Sequence, residues 1–435
     1  MKKTSFFNKL VSFGVCYTLL VYTTPTKAGN VVGDFYSQSQ NYLKFAFSFN
    51  KNSIGYLLFF NKKTKQYQAC SGTLIKSGKD IDPTTKQEYV GGWVLTSAHC
   101  SIDPKDALGG KFVTEKGEAD IDAFIRHIKY NPAIPYAEQI IKVDGEDKFM
   151  CVASDKPCGN KPQVAIMDIA LVHINKDLTA TGLEPIAPAK GVNVPSAGFV
   201  GGFVGYGKQG GADPEKPGKT KQSADSLSTL DTSDPKKESS RLLAAENDKL
   251  GGKNFFNVLK YSATDMFPYS GQVFYADLDN GSGSYNVDNK SDTQLNLEYS
   301  PYFGDSGAGV FDENNNLVAI VSGAGYGNKV SSNTIKSFAP PHYGSLTFYT
   351  PLAQHRGWIS SVIKANKFKK FTSKPYEPTG ENYSPFMPST GALSSTSKSL
   401  PDSMINIIAD VIIEPYPETF DDAVWEEVFP SNPNS

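Results

Sequence analysis

Short runs of aromatic and β-branched residues, cut apart by clusters of Asn, Lys, Gly and Pro, recur along most of this 435-residue chain. They stand at Ile54–Phe60, Tyr67–Ile75, Tyr89–Thr96, Val164–Ile174, Ala197–Tyr206, Asn257–Ser262, Gln272–Leu278, Gly309–Asp312, Leu317–Ser322 and Ser345–Thr350. Runs of this length and composition, with little three- to four-residue periodicity between them, predict an all-β domain built as a sandwich or a barrel. The best helix candidate comes last, over Leu352–Ala365, where Trp358, Ile359, Val362 and Ile363 recur at helical steps.

Three stretches fall outside that texture. Residues 1–28 read as a secretory signal: Lys2, Lys3 and Lys9 lead, an apolar stretch runs from Leu10 to Tyr22, and Thr26-Lys27-Ala28 offers small residues before a cleavage point. The apolar stretch is shorter than the roughly 20 residues that span a bilayer, so a removable leader is preferred to an anchor, and no later segment suits a span. Residues 208–253 are rich in Lys, Glu, Asp, Ser, Gly and Pro and read as a flexible insertion, because so little apolar surface cannot offset the entropy of ordering. Residues 366–435 read as a Pro/Ser-rich linker and an acidic C-terminal tail.

The formal net charge is −2, and loss of the leader takes away Lys2, Lys3, Lys9 and Lys27 but no acid. A mildly acidic protein has no electrostatic reason to bind nucleic acid or anionic lipid. Outside the leader stand Cys70, Cys100, Cys151 and Cys158. Export to an extracellular or periplasmic space favours disulfides, and no Cys-x-x-Cys or His-x-x-x-His spacing supports zinc. Four cysteines allow three connectivities; Cys70 with Cys100 and Cys151 with Cys158 is the favoured one.

Three segments carry chemistry. In Gly304-Asp305-Ser306-Gly307 a serine stands between glycines, which let backbone N–H groups converge on one spot. In Leu95-Thr96-Ser97-Ala98-His99-Cys100 a histidine ends an apolar run, and in Met167-Asp168-Ile169-Ala170-Leu171 an aspartate interrupts one. A serine hydroxyl becomes a nucleophile only beside a base, and an imidazole base works best when a carboxylate fixes its tautomer and stabilises the imidazolium. A buried aspartate in turn needs hydrogen-bond donors. Read separately, each segment has a bland alternative: a hairpin turn, a core histidine beside a disulfide, a strand-edge aspartate. Read together, they supply nucleophile, base and orienting acid.

Together with Cys70–Ile75, Gly205-Tyr206-Gly207, Val321-Ser322-Gly323 and Phe348-Tyr349-Thr350 followed by Trp358-Ile359, these segments resemble the trypsin/chymotrypsin family of serine endopeptidases over about residues 50–365. The resemblance implies two six-stranded antiparallel β-barrels with a cleft between them and a C-terminal helix. It makes residues 29–365 the peptidase domain, His99 the general base, Asp168 its orienting carboxylate and Ser306 the nucleophile. Gly304 and Ser306 would form the oxyanion hole, and a Cys70–Cys100 bridge would hold the histidine loop.

Counting back from Ser306 along the family pattern puts Ser300 at the base of the substrate pocket, with Ser322, Gly323, Ala324 and Thr347 along the cleft and walls. An uncharged base with such walls implies a small or medium apolar residue before the scissile bond, although Glu298 nearby leaves a basic preference open. The family's cysteine pair around this pocket is missing, with Tyr302 at its first position. Val31-Val32-Gly33-Asp34 faintly resembles the freed N-terminus that pairs in that family with the aspartate before the nucleophile, here Asp305. The implied activity is a secreted serine endopeptidase acting on proteins or peptides without a cofactor. The alternatives are a secreted binding or adhesion protein on a protease-like scaffold without turnover, and an esterase of similar chemistry.

Overall fold

The structure is a computed structural model and describes residues 29–32, 41–42, 44–46, 52–61, 66–81, 86, 88–100, 107–127, 138–143, 146–152, 163–164, 167–190, 198–207, 209–212, 220–222, 249–261, 271–279, 295–301, 304–324, 327–331, 334–338, 347–365 and 422–429. Twelve strands close into two barrels. The first comprises β1 (Ile54–Asn61), β2 (Gln66–Ile81), β3 (Glu88–Thr96), β4 (Ala107–Thr114), β5 (Gly117–Arg126) and β6 (Ala170–Ile174). The second comprises β7 (Phe199–Gly205), β8 (Leu250–Tyr261), β9 (Gly271–Ala276), β10 (Gly309–Asp312), β11 (Leu317–Ala324) and β12 (Thr347–Pro351). Around the first the order is β6-β3-β2-β1-β4-β5, and around the second β7-β8-β9-β12-β11-β10, with antiparallel pairing throughout. This is the expected double barrel.

Two-sided burial explains the near-continuous apolar runs. In β1, Leu57 and Phe59 point into the first barrel with Leu74, Val94, Phe112, Ile121 and Val172. The alternate residues Tyr56 and Leu58 join Trp93, Leu95, Leu171, Phe311, Leu317 and Ile320 in a second layer, which packs the barrels against one another. The second barrel is filled by Phe203, Phe256, Phe274, Tyr299 and Tyr349. Fully burying one such side chain is worth about 1.5–3 kcal/mol, so the seam is a continuous core and holds the cleft's two walls in fixed register.

Strands β4 and β5 were not among the expected runs. The signal in β5 is alternation without length of hydrophobicity: the buried Ala119, Ile121, Ala123 and Ile125 alternate with Glu118, Asp120 and Asp122, while Phe124 packs on Phe59 of the first barrel's core. The run expected over Val164–Ile174 is broken. Gln163–Val164 pairs with the hairpin Glu138–Val143/Glu146–Val152, Met167 takes φ 59, and β6 starts only at Ala170.

Ordered structure reaches into both ends of the segment 208–253. Gln209–Ala212 and Thr220–Gln222 are paired strands, and Leu250 to Lys253 already belong to β8; residues 223–248 lie outside the described residues. Gly29–Val32 runs parallel to Gln209–Ala212 and antiparallel to Tyr299–Ser300.

Helix α1 (Arg356–Ala365) buries Trp358, Ile359, Val362 and Ile363, the face that the spacing predicts. The C-terminal segment 366–435, read as a linker and acidic tail, holds one described element. Its residues Asp422–Val428 form helix α2, which sinks Trp425, Val428 and Phe429 into the inter-barrel core cluster and ties Glu426 to Lys190 and Glu427 to Lys364. The acidic composition hid an amphipathic turn with three apolar anchors. Among the described residues no helix is long and apolar enough to cross a membrane; the leader expected over 1–28 and the linker over 366–421 lie outside the described residues.

Candidate active site

Strand β3 stays apolar until Thr96, and the chain then tightens into a 3-10 turn over Ala98–Cys100 at the seam. Cys100 is bonded to Cys70 on β2, so the turn is fixed at its far end and His99 projects from it a quarter exposed. Asp168 arrives from the neighbouring strand, since Ala170 at the start of β6 pairs with Thr96 at the end of β3. It stands in the turn entering β6, not within a strand, and the left-handed backbone of Met167 swings its carboxylate inward to full burial.

Taking a carboxylate out of water costs several kcal/mol unless donors replace the lost solvent. Asp168 has three. Its Oδ1 accepts the backbone N–H of His99 at 2.9 Å, and its Oδ2 accepts His99 Nδ1–H at 2.7 Å and the Ser322 hydroxyl at 2.6 Å. Thr350 anchors the same residue by donating its hydroxyl to the Asp168 carbonyl at 3.2 Å. A carboxylate facing Nδ1 fixes the proton there, which leaves Nε2 with the lone pair. Burial lowers the His99 pKa, but the charge and hydrogen bond of Asp168 outweigh it, and the imidazole sits above its ordinary value.

The nucleophile turn is fixed just as firmly. Gly304 and Gly307 adopt φ 99 and φ 84. A Cβ on Gly307 would collide with the Ser71 carbonyl and the Thr96 hydroxyl, so this position requires glycine. The carbonyl of Ser306 accepts Ser71 N–H at 2.8 Å, Gly307 N–H donates to Val321 O at 2.7 Å, and Ala308 N–H donates to Asp305 O at 2.9 Å. The N–H groups of Gly304 and Ser306 are drawn into none of these bonds.

The histidine and serine turns meet across the seam. Cys100 Sγ lies 3.8 Å from Ser306 O, and Ser97 donates its hydroxyl to Val321 O at 2.6 Å. Asp305, fully buried, accepts Gly207 N–H at 2.7 Å. Val31, the residue resembling an activating N-terminus, is a strand residue paired with Tyr299.

The residues expected around the substrate pocket fall into one neighbourhood. Ser300 and Thr347 are both buried, with their hydroxyls 3.2 Å apart. Thr347 pairs with Ala324 across β12 and β11, and the ladder slips between Val321 and Gly323, placing Ser322 in a bulge that turns its hydroxyl to Asp168. A side chain at Gly323 would meet nothing within 4 Å, so this edge faces open space. Glu298 is committed elsewhere: its carboxylate accepts the N–H groups of Asp279 and Leu295. That carboxylate is therefore held by backbone donors.

Of the two expected disulfides, Cys70–Cys100 is present. Cys151 lies in the hairpin strand Glu146–Val152, and its pairing with Cys158 lies outside the described residues. Sequence reasoning missed Ser71, Ser97 and Thr350, which hold the site through hydroxyls. Their only signal is polarity inside otherwise apolar strands.

Two six-stranded antiparallel barrels, with a histidine, a buried aspartate and a glycine-flanked serine brought to the seam, define a chymotrypsin-like architecture. No family model matches the sequence, and no curated protein matches it. Among solved structures it is similar to HL collagenase, at 16% identity and a TM-score of 0.38 over 72% of this chain and 93% of that one. It is similar to the Rv3671c protease of M. tuberculosis in its active form, at 11% identity and a TM-score of 0.35 over 81% and 93%. A Glu endopeptidase matches at 13% identity and a TM-score of 0.31 over 69% and 84%.

Proposed function

We propose that this chain is a secreted serine endopeptidase that hydrolyses peptide bonds through an acyl-enzyme. One observation carries the reading: a buried carboxylate holds the His99 ring through Nδ1 at 2.7 Å, which leaves Nε2 as the basic nitrogen, on a turn whose Cys100 Sγ lies 3.8 Å from Ser306 O. His173 makes a like contact with Asp122 but is fully buried, whereas the His99 ring is a quarter exposed on the turn that meets Ser306.

In this reading Ser306 Oγ attacks the substrate carbonyl while His99 Nε2 takes its proton. The Asp168 carboxylate stabilises the imidazolium without accepting the proton. The carbonyl oxygen, now an oxyanion, takes hydrogen bonds from the N–H groups of Gly304 and Ser306, each such donor being worth about 2.7–4 kcal/mol. His99 then returns the proton to the leaving amine, and water repeats the sequence on the acyl group. The neutral Ser300–Thr347 pair supports a small or medium apolar residue before the scissile bond. Removal of residues 1–28 on export gives the mature chain.

The test is direct. Purified protein is incubated with a denatured protein substrate, and the new termini are read by mass spectrometry. Cleavage after small or medium apolar residues, lost in Ser306→Ala, is expected. An intact substrate beside folded wild-type protein would favour a binding scaffold instead.

A further inference from the structure

The geometry points to Ser71 as the positioning residue of the oxyanion hole. This inference rests on the peptidase reading and assigns to that site a group that neither attacks nor binds substrate.

Ser71 is fully buried on β2, one residue after the disulfide. Each of its polar atoms is engaged across the seam. Its N–H donates to Ser306 O at 2.8 Å, and its carbonyl accepts the Thr96 hydroxyl at 2.8 Å. Its own hydroxyl donates to Gly304 O at 2.8 Å and accepts Tyr206 N–H at 3.1 Å. Because the Tyr206 N–H occupies the oxygen's lone pair, the hydroxyl proton is directed at Gly304 and is not free to rotate.

Gly304 needs such a restraint. At φ 99, and with no side chain, it has a backbone that nothing within the residue holds. The peptide after Gly304 carries Asp305 N–H, and its rotation would change the torsions on both sides of it and so shift its two neighbours, the peptide that bears Gly304 N–H and the one that bears Ser306 N–H. The Ser71 hydroxyl grips the carbonyl of the peptide after Gly304, and its N–H grips the carbonyl of Ser306, so the peptide that bears Ser306 N–H is held between two anchored peptides and the one that bears Gly304 N–H adjoins the first of them. Tyr206 and Gly207 close the ring from the second barrel, the latter by donating to Asp305. The two barrels are thereby locked together at the turn where transition-state charge appears.

A preorganised donor pair stabilises the transition state more than the bound substrate, so the effect belongs in kcat. The experiment compares wild type, Ser71→Ala and Ser71→Thr, each in the full mature chain, with rates normalised to the fraction labelled by a fluorophosphonate. Kinetics are measured on a chromogenic peptide, and affinity is measured for a peptide boronic acid, whose tetrahedral adduct carries the oxyanion.

Loss of one oxyanion donor typically lowers kcat about 10²–10³-fold; loss of its restraint is expected to lower kcat about tenfold or more in Ser71→Ala, with KM within about twofold. Boronate affinity should fall by the same factor as kcat/KM, and Ser71→Thr, which keeps the hydroxyl, should recover most of the loss. Ser71→Ala with unchanged normalised kcat, or with kcat lost and boronate affinity intact, overturns the assignment. Normalisation separates a folding defect from the effect proposed. Wild-type protein that neither turns over nor labels overturns the peptidase reading itself, and this inference with it.

Discussion

His99 is bound to Asp168 twice, by its backbone N–H at 2.9 Å and by Nδ1 at 2.7 Å, so the carboxylate fixes both where the residue sits and which way the ring points. The turn that leaves β3 and the turn that enters its neighbour β6, at the same end of the sheet, thereby become one unit. The same carboxylate also takes the Ser322 hydroxyl at 2.6 Å from the second barrel, so the base is referenced to both walls of the cleft.

Activity should follow the protonation of His99. Only the neutral ring accepts the serine proton, and Asp168 holds the folded pKa above the ordinary imidazole value of 6.5. The rate is therefore expected to fall with acidification through a midpoint above that value. The ion pair's contribution to stability has the opposite dependence: it is fully present below 6.5 and fades as pH rises through the folded pKa. In Asp168→Asn the tautomer is lost and kcat should drop by about 10⁴, with the remaining acid limb moved to lower pH. A kcat–pH series on both proteins checks this.

The disulfide should contribute to stability as well as to geometry. Cys70 and Cys100 are 30 residues apart, and closing a loop of that length is worth about 3.6 kcal/mol on the chain-entropy model. Replacing both cysteines with serine is expected to lower the denaturation midpoint by that order. It should also reduce the fraction of protein that takes up a fluorophosphonate, since Ser71 and His99 flank the bridge.

A second lock lies at the seam, where Lys249 Nζ is 3.1 Å from Glu115 Oε1 with both side chains largely buried. Burial lowers the lysine's pKa, and the carboxylate's charge only partly opposes that. Glu115→Gln takes a counter-charge away from a buried ammonium, and the expected cost is about 3 kcal/mol. A lysine whose folded pKa is depressed gains stability as pH rises through that pKa. The deficit of the variant should therefore shrink in alkaline buffer, as denaturant melts at a series of pH values would show.

Much of this was legible in the sequence, for physical reasons. Strands buried on both faces, such as Ile54–Phe60 and Trp93–Thr96, advertise themselves as continuous apolar runs, and glycine flanking Ser306 marks a turn that no other residue fits. Glu118-Ala119-Asp120-Ile121-Asp122 was less visible, because a strand with one polar face and small inward residues looks like a loop by composition. Asp168 read as a strand residue because its apolar neighbours continue on both sides, while the turn depends on an unusual backbone at Met167 that no residue type announces. The docking of Trp425 was hidden for another reason: its partners, Trp358 and Val362 among them, lie far away in the chain.

The most direct measurement of the central claim is mass-spectrometric mapping of a fluorophosphonate on the folded, mature protein. The account predicts a single adduct on Ser306, abolished by Ser306→Ala and strongly reduced by His99→Ala. Folded protein that takes up no label, or takes it up equally well without the imidazole, would contradict it.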